Sequence, residues 1–282
     1  MNKKGGDMNR IALLCSMKAK IITLLLFQFW VFMFVLDAQI ACLPNAHAHN
    51  DYEHDRPLID ALSHGFTSVE ADIHLIKGKI YVSHNHPLKK SKKILLEELY
   101  LKPLEAIVKK NGGSVYPNCD STFYLMVDIK TEAESTYQAL QALLERYQSM
   151  LTTVEGAYRI EGAVTIFLSG NRPVNTVLET PKRLVGIDGR PNDIGKGYAN
   201  TFMPVISDNY YNHLRWRGNG TPPVEDLEKL QTWVAMAHAE GKKVRLWASP
   251  DQPIVWETLL NLGIDLLNAD DLKGLSDYLL QL

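Results

Sequence analysis

The sequence predicts an α/β fold, a (β/α)8 TIM barrel, for a single domain over residues 42–282. Over about 240 residues, eight short apolar segments alternate with amphipathic helical segments, as in this barrel. The apolar segments are rich in β-branched residues, which is typical of strands buried on both faces. A doubly wound open sheet is the structural rival, but it usually carries a glycine-rich phosphate loop after its first strand. Here HAHNDYEHD follows in that place, which favours the barrel.

The predicted strands, in chain order, are NAHAH, SVEADIHL, FYLMVDIK, AVTIFLS, RLVGID, MPVIS, KVRLWAS and DLLNAD. Helical periodicity marks PLIDALSHG, LEELYLKPLEAIVKKNGG, AESTYQALQALLERYQSML, VEDLEKLQTWVAMAHAEGK, IVWETLLNLG and LKGLSDYLLQL. After SVEADIHLI, the residues Lys77-Gly78-Lys79 and the run IYVSHNH predict a tight turn and a returning strand. We therefore expect a hairpin insert after strand 2 of the barrel.

Residues 1–41 differ in character from the rest of the chain. Lys18 and Lys20 precede the uncharged apolar run IITLLLFQFWVFMFVL, which ends at Asp37 and is followed by AQIAC. A basic flank, an apolar run and small residues are typical of a secretory signal peptide. The run of 16 residues is shorter than a membrane span of about 20, so an uncleaved N-terminal anchor is the second interpretation. We expect an exported protein, periplasmic or extracellular, which this segment anchors to a membrane if it is retained.

Of three cysteines, Cys15 lies in the N-terminal segment, and Cys42 and Cys119 lie in the domain. Export permits a disulfide between Cys42 and Cys119, but a sequence does not establish a pairing. The residues QIAC also resemble a lipobox with Cys42 as the lipidated residue, although Gln39 fits that pattern poorly. The formal net charge of −2 gives no electrostatic footprint for nucleic acid, which we exclude as a partner.

Seven of the nine histidines lie between His47 and His86, together with several carboxylates. Active sites of a TIM barrel lie at the carboxyl ends of its strands, and polar residues fall at those positions here. They are His49, Glu70, Asp72, Asp128, Ser169, Asp188, Asp208, Trp247 and Asp270. The sequence therefore predicts one site at this end of the barrel.

Alternation along the strands predicts a cation site. Glu70 and Asp72 share one face of their strand, roughly 6–7 Å apart along it, and Asp128 and Lys130 share a face of the next predicted strand. Carboxylates buried together without a cation repel each other and are costly to desolvate. With the amide oxygen of Asn50 they form a set of hard oxygen ligands, which suits one divalent cation, Ca²⁺ or Mg²⁺, better than zinc.

Two histidines are then free to transfer protons. His49 ends the first strand and His84 ends the returning strand of the hairpin, and an unperturbed imidazole both takes and gives a proton near neutral pH. A cation and Lys130 beside such a pair indicate phosphoryl chemistry, because both neutralise charge that develops on phosphate oxygens. His54 and His64 are interpreted as surface residues and His74 as a polar residue at a strand end.

The motifs HND, SVEAD, IYVSH and LMVDIK resemble the superfamily of phospholipase-C-like phosphodiesterases, which includes glycerophosphodiester phosphodiesterases and phosphatidylinositol-specific phospholipase C. Within it the chain is similar to the branch named for altered inheritance of mitochondria, which the late segments KVRLWASP and VWETLLNLGIDLLNADDL also fit. The resemblance implies hydrolysis of a glycerophosphodiester or a phospholipid head group. It further implies contact with a membrane surface, through the substrate or the N-terminal segment.

The resemblance also implies roles for individual residues. His49 and His84 are the implied acid and base, Lys130 contacts phosphate, and Trp247 and Arg245 line the substrate pocket. The implied cation ligands are Asn50, Glu70, Asp72 and Asp128. Two departures leave the head group open: His49-Asn50-Asp51 stands where glycerophosphodiesterases carry His-Arg-Gly, and Asp128 replaces a common Glu.

Two alternatives compete with a phosphodiesterase. A non-catalytic barrel that binds a phosphorylated ligand needs the pocket but no acid–base pair. A zinc-dependent amidohydrolase opens with His-x-His on its first strand, as His47-Ala48-His49 does, and carries an Asp at the end of strand 8, as Asp270 does. Such an enzyme also needs late metal-binding histidines, and His213 and His238 are poorly placed for that.

Overall fold

The computed structural model describes residues 40–156 and 158–282. The predicted signal peptide or anchor lies, apart from its last two residues, outside these ranges. Among the described residues, no helix is long and apolar enough to cross a membrane.

In the part of the chain that the structure describes, eight parallel strands close into a barrel, which confirms the predicted fold. They are β1 (Leu43–Ala48), β2 (Phe66–Ile76), β4 (Phe123–Ile129), β7 (Val164–Gly170), β9 (Val185–Gly189), β10 (Val205–Asn209), β11 (Lys243–Trp247) and β12 (Leu266–Ala269). Each pairs with the next in this order, and β12 pairs with β1 to close the ring. Because every barrel strand is parallel, all of their carboxyl ends meet at one rim.

The predicted hairpin is also present. β2 extends beyond the barrel, and β3 (Lys79–Val82) returns antiparallel to it with Ile73 opposite Val82. The turn contains Lys77 at φ 50° and Gly78 at φ 73°. Two successive residues with positive φ are what a tight hairpin turn of matching twist requires. This hairpin brings His84 back to the rim where β2 leaves the barrel.

The helices are α1 (Ile59–Ser63), α2 (Lys102–Lys110), α3 (Ala133–Leu144), α4 (Val174–Glu179), α5 (Tyr210–His213), α6 (Val224–Ala239), α7 (Pro253–Asn261) and α8 (Leu272–Leu279). The sequence did not predict α4 and α5, which are six and four residues long. It also missed a small antiparallel sheet of β5 (Thr153–Glu155), β6 (Tyr158–Ile160) and β8 (Lys182–Arg183).

Two predicted strand ends need correction. The strand predicted from Arg183 begins at Val185, since Arg183 pairs in the small sheet with Val154. The strand KVRLWAS ends at Trp247, because Ala248 takes a left-handed conformation with φ 61°. Ser249 therefore does not share a strand face with Arg245 and Trp247.

The barrel interior is divided into an apolar layer and a polar layer. Its apolar cluster consists of Met126, Phe167, Val205 and Leu266. Further toward the carboxyl rim, the inward positions of the same strands carry polar side chains, including Asp128 and Ser169, two residues after Met126 and Phe167. The apolar layer closes the barrel beneath the rim, so the polar layer opens only at the carboxyl end.

A disulfide joins Cys42 to Cys119, with their Cα atoms 6.2 Å apart and a sequence separation of 77. Cys42 precedes β1 and Cys119 precedes β4, so the bond lies at the amino end of the barrel, opposite the polar rim. The structure thus forms the pairing that the sequence left open. A Cys42 sulfur in this bond is not available for lipidation.

Replacing both Cys42 and Cys119 by serine is expected to lower the free energy of unfolding by about 2–5 kcal/mol, because the bond restricts a long loop of the unfolded chain. Urea unfolding of the oxidised protein and of the double variant measures the difference. Reduced wild type is the control and should unfold at the midpoint of the double variant. Equal midpoints for all three proteins would show that the bond does not form in solution.

Candidate active site

An open pocket of about 270 Å³ lies at the carboxyl rim of the barrel. Its lining consists of His49, Asn50, Glu70, His84, Met126, Asp128, Lys130, Ser169, Gly170, Arg190, Arg245 and Trp247. Eight of the nine predicted site residues are in this lining, and the ninth, Asp72, contacts two of them, His84 and Lys130. The structure thus brings the predicted set together, while the role of each residue stays a prediction.

Three carboxylates converge at the floor of the pocket. Glu70 and Asp72 point inward from β2, and Asp128 lies beside Asp72 in the register of β2 with β4. One oxygen from each of the three lies within 4.8 Å of the others. Glu70 is 4% exposed and Asp72 is 0% exposed, so solvent screens their repulsion poorly.

Two basic side chains partly balance these carboxylates. Arg245 donates to Glu70 Oε2 at 3.0 Å, and Lys130 Nζ lies 3.0 Å from both Asp72 Oδ2 and Asp128 Oδ1. Burial raises the pKa of Glu70, but the charge of Arg245 and the neighbouring imidazole of His47 outweigh it and lower that pKa to about 2. Burial raises the pKa of Asp128, and Lys130 offsets only part of that effect.

The donor set fits a hard divalent cation. Three carboxylates against two fixed cations leave one negative charge when the histidines are neutral. Asp72 Oδ1 is buried and has no hydrogen-bond partner among the described residues. Leaving such an atom unpaired is costly, and a cation that accepts its lone pair removes the cost. Glu70, Asp72 and Asp128 are the residues that could hold the cation, with Asn50 beside them.

A carboxylate orients each of the two candidate acid–base histidines. His49 Nδ1 lies 2.8 Å from Asp270 Oδ1, and His84 Nδ1 lies 2.9 Å from Asp72 Oδ2. When Nδ1 carries the proton that the carboxylate accepts, Nε2 is left with its lone pair. Burial lowers the pKa of His49, but the hydrogen bond to Asp270 and the charge of Glu70 outweigh it, so the net pKa lies above 6.5.

Tyr52 is a site residue that the sequence did not indicate. It lies in a short 3-10 helix after β1, and its hydroxyl is 2.7 Å from Asn50 Oδ1 and 2.8 Å from Asp72 Oδ2. Burial and the charge of Asp72 raise the pKa of Tyr52 far above its usual value, so the phenol stays a donor. Nothing in the local pattern distinguishes Tyr52 from a packing residue.

Arg190 forms the opposite wall of the pocket. Asp188 is fully buried and accepts from Ser169 Oγ at 2.9 Å, Ser207 Oγ at 2.6 Å and Arg190 Nη1 at 2.7 Å. Arg190 follows β9, which is the fifth strand around the barrel from β1, so it faces His49 across the mouth. The sequence marked Asp188 as a strand-end residue, and the structure shows it holding Arg190 in place.

The other histidines divide between support and surface. His47 is buried, with Nδ1 2.7 Å from Ser68 Oγ and Nε2 3.6 Å from Glu70 Oε2. Burial and the charge of Arg245 lower the pKa of His47 to about 4, so it supports Glu70 as a neutral residue. His54 and His64 lie outside the pocket lining, as predicted.

The late histidines do not support a zinc-type amidohydrolase. His213 pairs with Asp208 at 2.9 Å and stacks on Trp233, and His238 pairs with Asp265 at 2.8 Å. Neither lies in the pocket lining. Within the described ranges, the one group of three or more His, Cys, Asp or Glu side chains placed to hold a metal is the three carboxylates.

Gly170 lies where a side chain would disturb this group. Its φ is +67°, and a Cβ atom there would lie 2.2 Å from Asp128 Oδ1 and 2.5 Å from the carbonyl oxygen of Ile129. Alanine at Gly170 is therefore expected to displace the Asp128 carboxylate and weaken divalent-cation binding about 10–100-fold. Isothermal calorimetry with Ca²⁺ and Mg²⁺ measures this affinity.

Gly78→Ala is the matched control for Gly170→Ala. Gly78 also has a positive φ, +73°, but a Cβ atom there meets nothing within 4 Å. The Gly78→Ala variant therefore loses only the stability that a left-handed alanine costs, about 1–2 kcal/mol. It should bind the cation as wild type does. Equal affinities in both variants would remove Asp128 from the ligand set.

Comparison with known proteins gives a family model and several relatives that match this chain. Residues 36–185 match the model of the AIM6-like phosphodiesterase domain. The altered inheritance of mitochondria protein 6 homolog of Arthroderma benhamiae is 28% identical over 263 residues, which are 82% of this chain and 82% of that protein. The altered inheritance of mitochondria protein 6 of Eremothecium gossypii is 26% identical over 284 residues, 86% of this chain and 71% of that protein.

Among solved structures, the phosphatidylinositol-specific phospholipase C from Listeria monocytogenes aligns with a TM-score of 0.47 and 11% identity, over 86% of this chain and 93% of that chain. The family model covers more than half of the sequence and includes His49, Glu70, Asp72, His84, Asp128 and Lys130. The chain therefore belongs to the AIM6-like phosphodiesterase domain family.

Proposed function

We propose that this protein is a divalent-metal-dependent phosphoric diester hydrolase that acts on a glycerophosphodiester or a phospholipid head group. One observation carries the proposal: Glu70, Asp72 and Asp128 offer oxygens within 4.8 Å of one another in a pocket that also holds two carboxylate-oriented histidines. This combination suits a reaction that needs both charge neutralisation at a phosphate and proton transfer on two sides of it.

The two histidines divide the proton transfers. One takes the proton from the attacking hydroxyl or water as the new oxygen–phosphorus bond forms. The other gives a proton to the leaving alkoxide as the second oxygen–phosphorus bond breaks. Asp270 and Asp72 hold the imidazoles of His49 and His84 through Nδ1, which leaves Nε2 of each to act. Each transfer contributes typically 10²–10⁴-fold.

The charges in the pocket match a phosphodiester. The cation would be held by Glu70, Asp72 and Asp128 with Asn50, and when bound it supplies positive charge to the phosphate oxygens. The three floor carboxylates with Lys130 and Arg245 carry a net charge of −1, which sums to zero with two positive charges on the cation and one negative charge on a phosphodiester. Lys130 and Arg245 contribute fixed donors on the floor, and Trp247 contributes an apolar wall for the rest of the substrate.

Export is part of the same proposal. The basic, apolar and small-residue pattern of residues 18–41 supports it, and so does the disulfide between Cys42 and Cys119, because such bonds persist in oxidising compartments. Glycerophosphodiesters and outer-leaflet phospholipids are substrates that an exported enzyme can reach.

A chelator-controlled screen tests the proposal. The substrates are bis(p-nitrophenyl) phosphate, a set of glycerophosphodiesters and a set of phospholipids. We expect turnover that stops with a chelator and returns with Ca²⁺ or Mg²⁺. Binding of a phosphorylated ligand without any product would instead indicate a non-catalytic barrel, and restoration by zinc alone would indicate the amidohydrolase alternative.

A further inference from the structure

A lysine-rich loop with one exposed leucine follows His84 at the rim of the pocket. Residues 85–93 have the sequence NHPLKKSKK and are here named the rim loop. Leu88 is 97% exposed, the largest value among the large hydrophobic side chains that the structure describes. An apolar side chain this exposed gains almost no burial energy on folding, and Leu88 stands directly beside four lysines.

The rim loop also concentrates four exposed lysines within five consecutive residues. Lys89, Lys90, Lys92 and Lys93 are exposed, and none forms an ion pair with a carboxylate of the described residues. Several other surface lysines are paired with a nearby carboxylate, as in Lys102–Glu98, Lys109–Glu105, Lys196–Asp193, Lys229–Glu225 and Lys273–Asp277. The exposed lysines without such a pair among the described residues lie singly or two residues apart, at Lys77, Lys79, Lys110 and Lys182. The rim loop therefore presents four uncompensated positive charges around Leu88.

Both ends of the rim loop are fixed. At its start, His86 packs edge-to-face on His74 with ring centroids 5.7 Å apart, and Pro87 is buried. After its end, Leu95 forms an antiparallel bridge with Tyr81 on β3. The buried proline next to the exposed leucine means that the loop projects Leu88 outward from an anchored base.

The rim loop lies beside the reaction site. Leu88 is four residues from His84, so their Cα atoms are at most about 14 Å apart. His84 contacts Asp72 in the pocket floor, and Trp247 lines the same pocket with 38% of its surface exposed. A surface that bound Leu88 would therefore meet the mouth of the pocket.

We propose that the rim loop docks the protein on an anionic lipid bilayer, with Leu88 inserted among the lipids and the four lysines on acidic head groups. The proposal rests on the proposed function and makes the substrate of that site a lipid phosphodiester presented in a membrane. Lysines near an anionic bilayer each strengthen binding, and an apolar side chain adds to it. Leu88 favours a bilayer over a soluble polyanion, because nucleic acid or heparin would offer an exposed leucine no apolar environment.

Cosedimentation with vesicles tests the docking. The purified full chain is mixed with vesicles of phosphatidylcholine alone or of phosphatidylcholine with about a third phosphatidylserine. We expect binding to the mixed vesicles that falls as salt rises. Lys89→Gln with Lys90→Gln should weaken it about 25-fold, at about fivefold for each lysine, and Leu88→Ser about tenfold.

Lys109→Gln with Lys110→Gln is the matched control. These lysines end α2, and helices of this barrel run opposite to the strands, so the pair lies at the amino end, away from the pocket. This variant should bind mixed vesicles as wild type does. All variants are made in the full-length chain, so any contribution of the apolar N-terminal run to vesicle binding is the same in every sample.

Activity separates this proposal from the proposed function. The rim-loop variants should turn over soluble bis(p-nitrophenyl) phosphate at the wild-type rate and lose turnover only of vesicle-borne phospholipid. Wild type that binds mixed vesicles through the loop but cleaves no phosphodiester would overturn the proposed function and leave the docking standing. The docking would be overturned if the rim-loop variants bound vesicles as wild type does. It would also be overturned if the rim loop bound RNA or heparin in place of vesicles.

Discussion

Alanine in place of His84 is expected to lower kcat for a soluble phosphodiester by about 10²–10⁴-fold, and alanine in place of His49 by a similar factor. Both imidazoles line the pocket, and each is oriented through Nδ1 by a carboxylate. In the proposed mechanism, removing either one takes away a proton transfer to a reacting oxygen and leaves the carboxylate floor in place. Initial rates over a range of substrate concentrations separate kcat from KM, and KM should change little.

His64→Ala is the control for both substitutions. His64 belongs to the same histidine-rich stretch, but it precedes β2 and bonds the carbonyl oxygen of Asp60 at the amino end of the barrel. Its loss should leave kcat unchanged. Wild-type kcat in both His49→Ala and His84→Ala would end the acid–base assignment, whereas loss in only one would leave a single proton-transfer residue.

Asp270→Asn tests the orientation of His49 separately. Asparagine is nearly isosteric, but its amide can present a donor instead of an acceptor to His49 Nδ1. We expect a fall in kcat with little change in KM, smaller than that of His49→Ala. In a His49→Ala background the second substitution should have almost no further effect, because the two residues act as a unit.

Local patterns were sufficient to predict the carboxylate floor. A strand has a side-chain period of two, so Glu70 and Asp72 had to share a face wherever the strand lay. The same rule placed Asp128 with Lys130 on the next barrel strand. The barrel then brought the strands together in sequence order, and Asp72 and Asp128 became neighbours in its register.

Long-range partners could not be predicted in this way. Arg245 bonds Glu70 across a sequence separation of 175 residues, and only closure of the barrel brings them together. The sequence predicted that Arg245 lines the pocket, but it did not predict that Glu70 is the partner of Arg245. Asp270 was marked as a strand-end residue, yet its contact with His49 depends on the pairing of β12 with β1.

Short irregular segments account for the other omissions. Tyr52 lies in a three-residue 3-10 helix, where no periodicity indicates which way a side chain points. Gly170 takes a positive φ at the end of β7, and its importance comes from the position of Asp128 on the neighbouring strand. Such positions are set by tertiary packing, which local propensity does not encode.

Asp72→Asn is expected to abolish stabilisation of the protein by a divalent cation. A cation present at a hundred times its Kd stabilises the folded state by about 2.7 kcal/mol. For a domain of this size that corresponds to a rise in Tm of about 5–10 °C. Tyr52, His84 and Lys130 all approach Asp72 Oδ2, so in the variant the asparagine oxygen is expected to remain there. The amide nitrogen then replaces Oδ1, and an NH₂ group cannot serve as a cation ligand.

The measured quantity is the cation-induced increment in Tm, because Asp72→Asn also changes the stability of the free protein. Asp208→Asn is the control, since Asp208 lies at the same rim and pairs with His213 but does not line the pocket. It should keep the full increment. An unchanged increment in Asp72→Asn would place the cation elsewhere. A third outcome is that the cation does not raise the Tm of wild type and phosphodiester turnover continues in a chelator. This outcome would show that Lys130 and Arg245 supply all the positive charge that the reaction needs.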